Sequence, residues 1–591
     1  MAENSVPKGG AFLIEEAAPE QCFVPEEQSA EARLMAKTME DFVRKEVLPV
    51  VDRLEAHEEG LMRSLVQQAG KLGLLAAGVP DIYDGFNMPK TAMTLLTEKA
   101  YADPSFAISV GVQTGISMLP LLFFGTPEQK QKYLPQLASG EKIGAYCLSE
   151  ANSGSDALAA QAKATLAPDG KRYLLNGTKM WITNGGFADL YTVFAKIDGE
   201  QFTAFLVERD TPGLSLGKEE HKLGLRGSST RRVILENAPV PVENVLGEIG
   251  KGHQPALYSL NIGRFNIGAG ALGASKEALR IATQYARQRV QFKQPIAHFG
   301  MIQYKLAEMA LRIFVLESMI YRIAGYWDRI FGQIDASAPD AGTKYRAASE
   351  EYAVECAIIK FFGTEALDYV VDEGLQIHGG YGYSEEFPMA RAYRDARINR
   401  IFEGTNEINR LTVMDQLLRR AQRGRLPLSE AIAAQHSSVT NPAAKGSRDL
   451  EEIEIGGRQL RRAILYTIGQ AWEAFGEKLP EQQEVSAALA DMAAALFGLE
   501  SAYLRLRKLE ASSASESYAA MLAAARVYGS DAYDQVDRSA RYVLAALGTG
   551  DALSSRLDTL SGLLSPPAVD TVALRRQIAA LVIERDGYPW G

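Results

Sequence analysis

Cysteine is nearly missing from this chain of 591 residues: Cys22, Cys147 and Cys356 stand far apart and outside any Cys-x-x-Cys arrangement. That scarcity argues against a disulfide framework and suits a reducing compartment, so the expected setting is cytoplasmic. Histidine is almost as rare. The six residues, at 57, 221, 253, 298, 378 and 436, form no close pair on one helix face, and no metal site is expected. Ser-His-Asp hydrolysis is no better supported, and no Gly-x-Ser-x-Gly elbow is expected. Long apolar runs are short as well: Ser117 to Gly125 is the most membrane-like stretch, well under the roughly 18 residues of a spanning helix. The first thirty residues hold Glu3, Glu15, Glu16, Glu20, Glu26 and Glu27 without a basic start, so neither a secretory signal nor an Arg-rich transit peptide is readable. Positive charge is the minority sign. With 63 Lys and Arg against 73 Asp and Glu, the net charge of -10 offers no broad attraction for phosphate backbones or anionic lipid. Nucleic acid is not an expected partner.

What is present is core material in quantity. At 47% hydrophobic and 23% charged, a chain of this length is expected to build three or four structural units. Residues 30–143 carry helical periodicity, with Leu34, Met39, Phe42 and Val43 spaced to form one apolar face of an early helix. Residues 144–248 change to β character, where Asn176-Gly177 and Asp198-Gly199 predict tight hairpins because both dipeptides accept positive φ. Helical patterns resume over 249–425. The polar stretch from Ser437 to Ser447 reads as a linker, and 426–591 is helical again. The predicted fold is mainly α with a small central β domain.

The last segment repeats the one before it. Leu306 to Ile323 matches Leu489 to Leu506 at 9 of 18 positions, and Ser349 to Val370 matches Ser515 to Val536 at 9 of 22. The C-terminal unit is therefore read as a degenerate second helical bundle. It has no counterpart of Gln376-Ile-His-Gly-Gly380 or of Glu403-Gly-Thr405, so its expected role is packing.

Chemistry is sought in glycine-rich segments and isolated carboxylates. The segment from Tyr146 to Asp156 ends in small polar residues whose backbone N–H groups can approach a flat polar ligand. Lys179 to Gly186 reads as a strand that ends in a glycine turn. Glu403 lies between Phe402 and Gly404, a setting that can partly desolvate a carboxylate and raise its basicity, as abstraction of a weakly acidic C–H proton demands.

Together these segments resemble the acyl-CoA dehydrogenase family over about 30–421. The matching strings are Ala145 to Glu150, Gly154-Ser-Asp156, Met180 to Gly185, Lys222 to Gly227, Arg289 with Phe292, Gln376 to Gly380, Arg394-Asp395 and Phe402 to Thr405. The extra bundle is similar to the longer branch typified by very-long-chain acyl-CoA dehydrogenase. The resemblance implies FAD as cofactor and Glu403 as the base that removes the α proton of a fatty acyl-CoA. A second family arrangement takes its base from the position held here by Gly263, which cannot serve. It further implies that Tyr146, Leu148, Ser149, Gly154, Trp181, Ile182 and Thr183 bind the flavin. Arg289, Phe292, Gln376, Gly379 and Gly380 would grip the FAD of a neighbouring subunit in a homodimer, and Thr405 and Glu407 the adenosine portion. Ser155, Asn261, Arg264 and Gly404 would face substrate. Electrons would pass to an electron-transfer flavoprotein. An acyl-CoA oxidase is the rival within enzymes, and a DNA-associated relative the rival outside them. The latter is opposed by 16 Lys and Arg against 21 Asp and Glu from Leu426 onward. Peripheral membrane contact of the second bundle is a further expectation.

Overall fold

The computed structural model describes residues 6–437, 449–512 and 514–590, so most of the linker read at Ser437 to Ser447 lies outside the described residues. The chain falls into two compact units. One is Gln28–Ala274 with Trp327–Glu350; the other is Met1–Glu27, Ser275–Tyr326 and Glu351–Gly591. The fold is mainly α with one substantial β-sheet.

The unit containing Gln28–Ala274 opens on the helix Ala30–Phe42, capped by the Ser29 hydroxyl, which accepts from Ala32 N at 3.1 Å. This helix buries Ala32, Ala36, Met39 and Phe42, but Leu34 is 71% exposed, contrary to the expected apolar face. Leu34 precedes Met39 by five residues, roughly 140° around the helix, and points the other way. The stretch Pro104–Phe124 continues through a π-helical turn at Gln113–Ser117 and reaches 21 residues. Among the described residues it and Gln483–Lys508 are long and apolar enough to cross a membrane by length and composition, yet both are mostly buried within the protein. The short run seen in sequence is thus the end of a longer core helix.

The sheet has eight strands in the order β6-β7-β3-β2-β4-β5-β8, with β1 added in parallel on β4. β4 (Leu190–Ile197) and β5 (Gln201–Glu208) form the hairpin expected at Asp198-Gly199, whose φ angles are +52° and +81°. Asn176-Gly177 does not turn. It lies inside β3 (Arg172–Thr183) at a register shift against β7 (Thr230–Pro241), where the amides of Asn176 and Asn237 bond at 3.1 Å and Asn237 N donates to Asn176 Oδ1 at 2.9 Å. Gly177 is needed there: a Cβ would come within 2.7 Å of Ala162 Cβ.

In the other unit the two halves of the internal repeat both fall on helices. Leu306 to Ile323 lies in Gly300–Phe331 and its counterpart in Gln483–Lys508; the second block spans the Ala353–His378 helix and, in the copy, Glu516–Ala546. Buried ions tie these helices together. Glu317, 1% exposed, is paired with Arg505 at 2.6 Å and Lys276 at 2.5 Å, and Arg461 and Arg322 both reach Glu500 at 2.9 Å. The N-terminal segment is inlaid rather than loose: Gly9 N donates to Glu351 Oε1 at 2.9 Å, Gly10 N to Glu355 Oε1 at 2.6 Å, and Tyr352 OH to Pro7 O at 2.8 Å. A Cβ on Gly9 would fall 1.9 Å from Glu351 O.

Candidate functional site

Glu403 follows a 3-10 turn, Arg397–Arg400, and precedes the helix Asn406–Gln422. The connection is too tight for ordinary backbone angles: Glu403 has φ +56° and Gly404 φ +80°. A non-glycine residue in the left-handed region costs about 1–2 kcal/mol, so the conformation persists only because neighbours impose it. Those neighbours are specific. Lys360, wholly buried on the Ala353–His378 helix, donates to Gly404 O at 2.7 Å and Asn406 Oδ1 at 2.8 Å. Asn409 Nδ2 donates to Gly404 O at 2.8 Å and Thr405 O at 2.9 Å, and Thr405 caps the helix by accepting from Ile408 N at 3.3 Å. The Glu403 side chain is half-buried. Glu407 lies exposed on the first turn, its carboxyl held below the usual range by its own backbone N–H and the Thr405 hydroxyl.

In the same unit Gly379 leaves the Ala353–His378 helix at φ +60°, and a Cβ on Gly379 or Gly380 would meet nothing within 4 Å. The Arg289 guanidinium stands 5.6 Å from the Tyr381 ring, which brings the helix end at 289 to the glycine turn. Phe292, at the tip of the β9–β10 hairpin (Val290–Gln291 and Gln294–Pro295), is 87% exposed, and Gln376 is also exposed. These five residues form an open surface of glycine backbone, aromatic ring and cation.

In the unit with the sheet, β1 (Gly144–Cys147) runs into the loop 148–156, and β3 ends beside it, with Met180 N donating to Ser149 O at 2.9 Å. Tyr146 packs edge-on against Phe194 in the core; Leu148, Ser149 and Thr183 are half-buried; Gly154 and Ser155 are exposed. Trp181 is 57% exposed at φ +58°, so the strand's last turn swings the indole outward. Ile182, expected among the ligand contacts, is buried in the core of the sheet and has only its backbone to offer. Asn261 and Arg264 lie half-buried one turn apart on the helix His253–Gln288, with Arg264 Nη1 3.4 Å from Asn261 Oδ1.

Sequence reasoning missed the support beneath the loop. Lys179, fully buried on β3, donates to Glu150 Oε1 at 2.6 Å and Leu148 O at 3.1 Å, and Glu150 also accepts from Gln161 N at 2.6 Å and Ala162 N at 3.0 Å. Burial pushes the Lys179 ammonium down, and its bond to Glu150 works against this. Burial would raise Glu150, but Lys179 and the two N–H donors outweigh it and hold the carboxyl below its usual range. Lys360 was missed too. The available signal was the same for both: a lysine at a position whose flanking residues are apolar, Ala357-Ile-Ile-Lys360-Phe-Phe and the inward parity of β3. The string Gly213-Leu-Ser-Leu-Gly217 does have Gly-x-Ser-x-Gly spacing, but it runs along β6 (Leu214–Glu219) instead of a strand-to-helix turn and is no nucleophile elbow. Among the described residues no group of three His, Cys, Asp or Glu side chains could hold a metal.

Comparison with known proteins places this geometry. The acyl-CoA dehydrogenase N-terminal, middle and C-terminal domain families match residues 29–141, 145–238 and 250–418, and a further acyl-CoA dehydrogenase C-terminal domain family matches 459–561. A probable acyl-CoA dehydrogenase of Bacillus subtilis (strain 168) is 43% identical over 585 residues, covering 99% of this chain and 98% of that one. The very long-chain specific acyl-CoA dehydrogenase of Macaca fascicularis mitochondria is 39% identical over 70% of this chain and 59% of its own. The crystal structure of an acyl-CoA dehydrogenase from Bacillus anthracis, complexed with FAD, superposes with a TM-score of 0.97 at 44% identity, covering 99% of this chain and all of that one. The chain belongs to the acyl-CoA dehydrogenase family.

Proposed function

We propose that this protein binds FAD and converts fatty acyl-CoA, of medium to long chain, into trans-2-enoyl-CoA, with Glu403 as the base. The observation that carries the reading is the Glu403 loop: a carboxylate held half-buried on a strained, clamped backbone beside a glycine. The open glycines 154, 379 and 380 and the outward rings of Trp181 and Phe292 fit a large flat cofactor with a phosphate-bearing tail, because backbone N–H groups stay approachable and apolar faces are offered for stacking. When bound, FAD supplies the acceptor for the β hydrogen and its electron pair.

Everything else falls to the chain. Glu403 takes the α proton, and its backbone N–H, flanked by Gly404, donates to the thioester oxygen on which negative charge builds. Ser149 and Thr183 supply hydroxyl donors, while Trp181 shields the ring system from water. Arg289, Phe292, Gln376, Gly379 and Gly380 hold the cofactor of a second subunit, which makes the working form a homodimer. Thr405 and Glu407 hold the adenosine portion, and Ser155, Asn261, Arg264 and Gly404 line the acyl thioester. Transfer of electrons to an electron-transfer flavoprotein, a role in fatty acid β-oxidation and a cytoplasmic setting, with any membrane contact peripheral, complete the reading.

Glu403→Gln is expected to keep its yellow FAD and to lose bleaching by every acyl-CoA tried, by a factor of about a thousand or more. Brisk bleaching would overturn the base assignment. Peroxide release measured against reduction of electron-transfer flavoprotein separates this function from an oxidase, and rates across an acyl series fix chain length.

A further inference from the structure

We infer that Lys360 is a positioning residue for Glu403, a role that rests on the base assignment just made. The ammonium is fully buried, so withdrawing it from water has a cost of several kcal/mol that must be offset locally. Both its bonds given above go to the residues immediately after the base: the carbonyl of Gly404 at 2.7 Å and the side chain of Asn406 at 2.8 Å. The site is doubly fixed. Asn406 is held in turn by Thr364, whose hydroxyl lies 3.1 Å from Asn406 Nδ2, and by Glu365 Oε1 at 3.0 Å; Asn409 shares the Gly404 carbonyl. Arg410 adds a bidentate pair to Glu365 at 2.7 and 2.8 Å.

The backbone angles explain why a charge is used here. Rotating the 404 peptide to an ordinary conformation would relieve two successive positive φ values and would carry its carbonyl away from the ammonium. A cation bonded to that carbonyl opposes the rotation more strongly than a neutral donor, since charge-assisted bonds are roughly twice as strong. Lys360 therefore keeps Glu403 in the one backbone state that aims its carboxylate, and its charge favours the ionised base. The residue touches neither substrate nor cofactor and acts through the loop.

The test compares Lys360→Met and Asn409→Ala with the wild type and Glu403→Gln, all as FAD-loaded enzyme. For Lys360→Met the expectation is FAD at wild-type stoichiometry, a non-oxidisable acyl-CoA thioether bound within about twofold, and kcat lowered about tenfold or more with KM little changed. The acidic limb of the kcat profile should move to higher pH, because a cation that favours the carboxylate has gone. Asn409→Ala removes a donor from the same carbonyl without stranding a charge and should show a smaller fall in kcat. A Lys360→Met enzyme that holds FAD and keeps wild-type kcat and pH profile overturns the proposal, as does one whose kcat falls only in proportion to FAD lost. Should Lys360→Met fail to fold, wild-type kcat in Asn409→Ala overturns it. Failure of the base assignment is separately visible as turnover by Glu403→Gln.

Discussion

Glu355 is buried with one carboxylate oxygen on Gly10 N and, for the other, no hydrogen-bond partner among the described residues. Burial pushes its carboxyl up to about 7 from an ordinary 4.5, with Gly10 N–H, Arg420 and Arg322 only partly offsetting this. The folded state therefore holds a proton that the unfolded chain releases near 4.5. The stability this gives is complete below about 4.5 and is lost as pH climbs through 7, by up to about 3 kcal/mol. Glu355→Gln should match the wild type near pH 4.5 and become the more stable protein at pH 8; equal denaturation midpoints of the two at pH 8 would contradict this. Lys179 illustrates the opposite case, a buried cation with a partner. Lys179→Met strands Glu150 in the core under the loop 148–156 and should cost about 3–5 kcal/mol, read as a lower melting temperature with weakened FAD retention. Residue-scale chemistry was only partly legible in sequence. Glu403 announced itself through its Phe-Glu-Gly-Thr string, whereas Lys179, Glu150 and Lys360 work through burial, which periodicity alone does not rank.

At the scale of elements, two dipeptides with the same turn chemistry went different ways. Asp198-Gly199 closes a hairpin because β4 and β5 pair from end to end, while Asn176-Gly177 is absorbed as a bulge because β3 continues to find partners in β7. Local preference for positive φ specifies a kink; which kink is decided by pairing partners distant in sequence. Gly177→Ala should destabilise the protein by about 1–3 kcal/mol through its approach to Ala162, whereas a Cβ at Gly199 meets nothing within 4 Å and Gly199→Ala should cost only the strain of its positive φ, about 1 kcal/mol. Denaturant midpoints for the pair would check the order. Leu34 teaches the same point for helices, since membership of an apolar stripe is settled by angle, and one residue of a plausible four can still face water.

For the whole molecule, the class of fold and the extra helical region were readable from strings and repeats, but their mutual dependence was not. The unit that holds Glu403 also holds the second bundle, and the two halves of the repeat share buried ions. Against the upward push of burial, Lys276 and Arg505 keep the Glu317 carboxyl below its usual range, and Arg505 also accepts the company of Glu26 at 2.6 Å and the Trp590 carbonyl at 3.4 Å. A chain stopped at residue 425 would leave Glu317, Glu500 partners and the apolar wall around Phe314 and Val315 uncovered. It is therefore expected to be insoluble or unable to retain FAD, measured by soluble yield and flavin absorbance; a soluble, yellow and active truncation would show the second bundle to be dispensable.

The inlaid stretch from Pro7 to Leu13 sets a tolerance for anyone who edits this protein. Its two glycines fill a keyway cut to bare backbone, closed on one side by the Glu351 carbonyl and on the other by Leu417 and Leu426. A saturation library across positions 6 to 14 should thus return free choice at the outward residues and near-silence at 9 and 10, where even a methyl group jams the lock.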